Sequence, residues 1–426
     1  MSNPSHRAAD VALLLGATLL ILMPAADTWL HLDPTTPAQE KRELAPSPSV
    51  SGSTAEWTAF PRAFDRWLSD HVGLRNTLLA VDSRIKVQLL GTPPGPAVEV
   101  LIGRHGWLYY TGGYGLEYAQ RTNPLSARDL HRWCQVMEAR QQWLAARGIR
   151  FLFVLAPNKE TVYPEHLPQW LRGMERPSRA DQLLGALRDR TGVVVLDLRP
   201  VLLEARKEHR VFSITDSHWS SVGAHRAYQA IMEQLGTWFP AARPHPLRDF
   251  AQVKAPFSGD LATMLGASSY LREEGIKLRP RRGWTARFEL APEYATLRPW
   301  APSYRPVRSK KRGSAIGRVV MIRDSFGEAL KRLLAEHIGS CVYLWLDVGF
   351  PTELIEKERP DVVILELVER QLSIYPPKNP PLPPDDVTAV RRRAGNSSPP
   401  SVGPLLGPLR ALAGGRERRA GAAAAR

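Results

Sequence analysis

From Leu125 to Leu372 the chain alternates short runs of consecutive apolar residues with longer stretches of helical periodicity, and this pattern narrows the fold more than any other feature. The segments "RFLFVLAP", "VVVLDL", "GRVVMIRDS", "SCVYLWL" and "DVVILELV" are continuously apolar, as strands buried on both faces are. Between them "ARDLHRWCQVMEARQQWLAARG", "ADQLLGALRDRTG", "SVGAHRAYQAIMEQLGTW", "FGEALKRLLAEH" and "TELIEKERP" repeat apolar residues at helical spacing. The expectation is an α/β domain with a mainly parallel sheet and helices on both faces. Sites in such sheets gather at the carboxyl ends of strands, which directs attention to the loops after Leu155, Leu198, Ile322, Leu346 and Leu367.

The flanks read differently. From Val11 to Ala26 there is no charge, and the run precedes a Pro/Ser/Thr-rich stretch, so residues 1–32 are read as a cytoplasmic stub and a membrane signal-anchor helix. A cleavable signal wants small residues at both positions of an A-x-A pattern; Met23 or Pro24 stands where the first should be, which favours an uncleaved anchor. A buried core helix is the alternative. Residues 33–56 form a linker of a composition that does not fold alone, residues 57–375 the globular domain, and residues 376–426 a Pro/Arg/Ala-rich tail expected to be disordered. The domain opens with "FPRAFDRWLSDHVGLRNTLLAVDSRIKVQLLG", one or two amphipathic helices, followed by a strand in "VEVLIGRHGWLYY". At about 270–313 an insertion interleaves Arg and Lys with Trp284, Tyr294, Trp300 and Tyr304. It reads either as a grip for an anionic polymer or as a solvated cap.

The formal charge of +15 lies partly in the tail, and a chain read as exported is a poor candidate for nucleic-acid binding. Cys134 and Cys341 are expected as two buried thiols, and no Cys/His cluster has zinc-ligand spacing, so neither a metal nor a cofactor is expected.

The chemistry concentrates in "ITDSHWSSVGAH", where Asp216 and His218 stand two residues apart in a polar turn before a helix. A serine becomes a nucleophile when an imidazole takes its proton, and the imidazole does this best when a carboxylate fixes its tautomer. In "VVMIRDSFGEAL" Ser325 follows an apolar strand and opens a helix, so its hydroxyl projects from the sheet edge near backbone N–H groups. Both pieces also have plain readings, as helix caps beside a solvated histidine. His225, within the following helix, is the competing base. The G-x-S-x-G elbow is absent, because Arg323 stands where its first Gly would be.

"RDSF" and "DSHW" resemble the serine block and the Asp/His block of SGNH hydrolases in reversed, circularly permuted order. That order is similar to the alginate O-acetyltransferase AlgJ/AlgX group. The resemblance extends to "AFDRWLSDHVGLRN", "IGRHGWLYY", "APNKETVYPEHLP", "SGDLATMLG" and "PDVVILELVERQL", roughly Trp57 to Leu372. It implies an SGNH-hydrolase-like fold and an exported enzyme that carries acetyl on Ser325, with His218 as general base and Asp216 as its orienter. It further implies an exopolysaccharide acceptor, alginate-like or another surface glycan, and a membrane-bound O-acyltransferase as acetyl supplier. The Gly and Asn that complete the oxyanion hole in ordinary SGNH enzymes have no clear match, since "LVER" occupies the place of the Asn block. Arg323, Asn158, Lys159, Tyr163, Glu369 and Arg370 lie in strand-end loops as candidates for contacting substrate or for structural bonds, and Trp219 as a sugar-stacking ring or a buried support. A polysaccharide acetyl esterase uses the same triad, and a non-catalytic polysaccharide-binding or assembly protein is the reading from another class.

Overall fold

The computed structural model describes residues 4–30, 45–49, 52–95, 98–172, 176–297 and 305–374. The tail read at 376–426 and most of the linker read at 33–56 lie outside them. Among the described residues there are eleven strands, β1 Val100–Ile102, β2 Leu108–Tyr110, β3 Arg150–Ala156, β4 Val195–Asp197, β5 Phe250–Phe257, β6 Glu273–Pro280, β7 Arg287–Leu290, β8 Val307–Lys310, β9 Ile316–Arg323, β10 Ile338–Trp345 and β11 Val362–Val368. Seven of them make one sheet in the order β4-β3-β11-β9-β10-β8-β7. The first five run parallel, and β8 and β7 extend the β10 edge antiparallel. The five strands foreseen from their apolar runs are the five parallel ones.

Side-chain alternation along these strands explains why their sequences are continuously apolar. On β3, Leu152, Val154 and Ala156 enter one core while Phe151, Phe153 and Leu155 enter the other. On β9, Val319 and Met321 face the first and Val320 and Ile322 the second. Helices Ser221–Gly236 and Gly327–Ala335 cover the first face, through Ala227, Tyr228, Leu330 and Leu334. Helices Ala127–Ala145, Arg179–Arg190 and Thr352–Glu358 cover the second, through Trp133, Met137, Leu183, Leu187 and Ile355. Each such side chain contributes about 1.5–3 kcal/mol by leaving water, so a double-faced core fixes the sheet's register firmly. Ser126 and Ser178 start two of these helices with reciprocal capping boxes to Asp129 and Asp181.

Three expectations are corrected. The single strand in "VEVLIGRHGWLYY" is a hairpin, β1 against β2, because His105 and Gly106 take successive left-handed conformations at φ 57° and 76°. The segment at 270–313 is no separate insertion: β6 pairs with β5 in a ribbon, and β7 and β8 complete the main sheet. Cross-strand pairing to β10 is a long-range contact that local composition does not encode. Trp300 and Tyr304 lie outside the described residues. The first helix of the domain begins at Thr54, earlier than expected, because Ser53 caps it by accepting from the Glu56 N–H.

At the amino end, helix Pro4–Leu30 contains a span, Asp10–Thr28, long and apolar enough to cross a membrane. Only 6% of its apolar window is buried among the described residues, unlike the mostly buried helix that the core alternative calls for. Cys134 and Cys341 are buried and free.

Candidate active site

Asp216 and His218 sit on a loop pinched at its base by an isolated bridge between Phe212 and Trp219. Asp216 Oδ1 accepts from the His218 backbone N–H at 2.9 Å and faces Nδ1 at 2.7 Å. Its Oδ2 accepts from the Asp260 N–H at 3.0 Å. Burial alone would raise this carboxyl; the hydrogen bonds and charge of His218 and the two backbone N–H donors overcome it and hold Asp216 at about 2. A carboxylate facing Nδ1 assigns that nitrogen the proton and leaves Nε2 as the basic one. Nε2 is buried without a hydrogen-bond partner among the described residues.

A second carboxylate, which the sequence reading did not single out, supports the loop from below. Asp260 accepts from the Ser217 N–H and from Ser217 Oγ, both at 2.7 Å, and its Oδ2 lies 3.5 Å from His218 Nδ1. Helix Asp260–Met264 is held by Leu261 and Leu265 packing against Val100 and Leu108 of the β1–β2 hairpin. Gly259 makes the approach feasible: a Cβ there would stand 2.4 Å from the Asp216 Cβ. The signal was present in "SGDLATMLG", but nothing in spacing ties a residue 44 positions away to Asp216. The ligand atoms of Asp216, His218 and Asp260 lie within 4.8 Å of one another, close enough to hold a cation. The hydrogen bonds just described account for this closeness.

Ser325 is half-buried in the turn between β9 and helix Gly327–Ala335. Asp324 clamps that turn, taking the Phe326 N–H on Oδ1 at 2.8 Å and the Val368 N–H on Oδ2 at 2.7 Å. Glu366, fully buried on β11, takes the Asp324 N–H at 3.2 Å. Burial, then the neighbouring Asp324 charge, pushes Glu366 well above the usual carboxylate range. Gly327 is required by packing, because a Cβ would fall 2.7 Å from Arg323 and 2.9 Å from Glu366. With the Phe326 amide consumed by Asp324, the Ser325 N–H is the oxyanion donor the turn has left to offer.

Phe326 joins the two loops. Its ring lies 5.0 Å from His218 and 5.0 Å from Trp219, centroid to centroid. Ser325 and His218 therefore share one neighbourhood across Phe326, and no hydrogen bond links Ser325 Oγ to Nε2. His225, the competing base, is fully buried on its helix, bonded through Nε2 to the His245 carbonyl, and pushed down to about 4 by burial. It faces the core.

Most of the other candidates are held inside the protein. Trp219 is buried under Phe326, so it supports the loop and does not present a face to a sugar. Glu369 is fully buried between Tyr118, the Asn158 N–H and Arg199. Asn158 is buried and accepts from the Arg370 N–H. The Tyr163 hydroxyl accepts from the Val211 N–H, and Arg323 pairs with Glu328 at 2.6 Å. Lys159 donates to the carbonyls of Leu108 and Ile214, each at 2.7 Å, and of Asp216 at 3.0 Å. Burial pushes its ammonium down to about 7, while three carbonyls match the three donors of its charged form. All six make structural bonds or packing contacts, one of the two roles expected for them. Arg370 differs: half-buried, its guanidinium lies 5.1 Å from the Phe326 ring and 5.4 Å from that of Tyr110, beside the Ser325 turn.

Comparison with known proteins fits this arrangement. Residues 100–296 match the family described as SGNH hydrolase-like domain, acetyltransferase AlgX, a range that includes Asp216, His218 and Asp260 and stops short of Ser325. The chain is 27% identical over 199 residues to the probable alginate O-acetylase AlgJ of Pseudomonas syringae pv. tomato, covering 43% of this chain and 48% of that one. To the same-named protein of Pseudomonas putida it is 28% identical over 203 residues, 43% and 49% of the two chains. It thus spans about half the length of the curated relatives it matches. Among solved structures, the O-acetyltransferase domain of Pseudomonas putida AlgJ aligns at 18% identity over 69% of this chain and 99% of that chain, with a TM-score of 0.43. The matched domain, together with AlgJ relatives aligned over some 200 residues, makes this chain similar to the AlgJ/AlgX group of SGNH-hydrolase-like proteins.

Proposed function

We propose that the protein is an O-acetyltransferase that carries acetyl on Ser325 and passes it to a hydroxyl of an exported polysaccharide. The observation that carries this reading is the 2.7 Å contact of Asp216 with His218 Nδ1, which leaves Nε2 basic next to the turn that bears Ser325. In the first half-reaction, Ser325 Oγ bonds to the acetyl carbonyl carbon as its proton passes to Nε2. The tetrahedral oxyanion forms against the Ser325 N–H, and Nε2 returns the proton to the departing donor oxygen. In the second, a sugar hydroxyl gives its proton to Nε2, takes the acetyl carbon, and Ser325 recovers its proton. Asp216 stabilises the imidazolium in both.

The AlgJ relatives are named as alginate O-acetylases, which supports acetyl transfer to a glycan; the acceptor for this chain is an alginate-like or other surface polysaccharide. In this reading the Asp10–Thr28 span anchors the domain outside the cytoplasmic membrane, and a multispanning membrane O-acyltransferase supplies the acetyl group, since one span has no route for carrying it across. The test is turnover of an activated acetyl ester with and without acidic oligosaccharide. Transfer predicts acetylated sugar at the expense of free acetate, in wild type and not in Ser325→Ala. Acetate alone at every sugar concentration would make the protein an esterase.

A further inference from the structure

The two helices that open the domain carry an apolar face that the other described residues leave exposed. Trp57, Phe60, Phe64, Trp67 and His71 form one stripe on helix Thr54–His71, with successive ring centroids 6.3, 5.8, 5.8 and 5.3 Å apart. Trp57 is 61% exposed and Leu68 44%. Helix Arg75–Arg84 and its continuation to Leu89 carry a second stripe, Leu78, Val81, Ile85 and Leu89, of which Leu89 is 77% exposed. Arg62 and Arg66 lie about half a turn from Phe64, on the polar side. Monomeric soluble proteins rarely leave contiguous apolar surface of this kind in water.

The loop between these helices is tied to the end of the apolar span. The Leu74 N–H donates to Asp27 Oδ2 at 2.7 Å, and the Gly73 N–H to Thr28 Oγ1 at 3.1 Å. Thr28 in turn donates to the Pro24 carbonyl at 2.8 Å. Gly73 is required there, because a Cβ would lie 2.2 Å from the Pro24 oxygen. Asp27 is buried in this contact. If Asp10–Thr28 spans a bilayer, Gly73 and Leu74 sit at its surface, with both exposed stripes starting from that depth.

We propose that helices Thr54–His71 and Arg75–Leu89 lie in the interface of the same membrane, their aromatic and aliphatic stripes sunk into the headgroup–acyl boundary. Tryptophan is favoured at that depth, and an amphipathic helix with a charged outer side lies in the plane. The occupant of the face is therefore lipid, continuous with the lipid around the span. The inference rests on the reading of that span as a membrane anchor, and the experiment separates the two.

The full chain is reconstituted in phosphatidylcholine vesicles with one fluorophore at a time, at Leu15→Cys in the span, Phe64→Cys and Val81→Cys on the stripes, and Arg66→Cys on the polar side. Cys134 and Cys341 are buried and stay unlabelled. All four sites are exposed, so the labels leave the fold intact. Lipid-borne nitroxide is expected to quench positions 15, 64 and 81 several-fold more than aqueous iodide does, with the preference reversed at 66. Lipid quenching at 15 with iodide quenching at 64 and 81 overturns the interfacial placement and keeps the anchor. Iodide quenching at 15 overturns both.

Discussion

At the scale of single residues, the account rests on His218 being held between two carboxylates of unequal duty. Asp216 faces Nδ1 directly, and Asp260 holds Ser217 and the loop. Asp216→Asn is expected to lower acetyl-ester turnover by about 10²–10⁴-fold, the range for a misassigned general base, with KM nearly unchanged. Asp260→Asn is expected to cost less, because Ser217 can still bond to the amide oxygen. A steady-state comparison of kcat for the two variants checks the order. The held ionisation of Asp216 also gives a signature in stability. Its folded value of about 2 lies below the ordinary value near 4, so its stabilisation, about 2–3 kcal/mol, is fully present above pH ~4 and is lost as pH falls through 2. Urea midpoints from pH 5 to pH 2 should fall more steeply in wild type than in Asp216→Asn. The Asp216–His218 contact and the place of Ser325 in a strand-to-helix turn were legible because each pattern is local: an Asp-x-His turn, a serine after an apolar strand. Asp260 was not legible, because its role arises from a contact between segments that only the fold brings together.

At the scale of elements, the parallel strands were legible and the antiparallel edge was not. β3, β9, β10 and β11 advertise burial on both faces in their own sequences, whereas β7 and β8 are short, charged and half-exposed. β8 is a strand because β10 offers it hydrogen-bonding partners, and β7 because β8 does, in each case a property of the neighbour. The same logic governs Lys159. It reads locally as a strand-end cation open to either a substrate contact or a structural bond, and its ammonium ties β2, the segment before Asp216 and Asp216 itself together through three carbonyls. Lys159→Met should leave these acceptors unpaired and destabilise the protein by about 2–4 kcal/mol, read as a lower urea midpoint at pH 7, with activity lost in proportion to loosening of the loop. Gly327→Ala probes the other loop. The added methyl meets Arg323 and Glu366, so the Ser325 turn must shift, and a drop in kcat with little change in Tm is the expected outcome.

For the whole molecule, the sheet brings Ser325 after β9 and the His218 loop to the same carboxyl edge, where sites of parallel sheets form. The reversed order of the serine and histidine blocks along the chain makes no difference to this, since the geometry depends on strand adjacency. The covalent step on Ser325 is what every functional statement depends on. The most direct test is the intact mass of the full-length protein after brief exposure to an activated acetyl ester, comparing wild type with Ser325→Ala and His218→Ala. The account predicts a transient gain of one acetyl group in wild type, mapped to the peptide carrying Ser325 and absent from both variants. A folded wild type that gains no acetyl while showing no ester turnover, or an adduct that persists in Ser325→Ala, would contradict it.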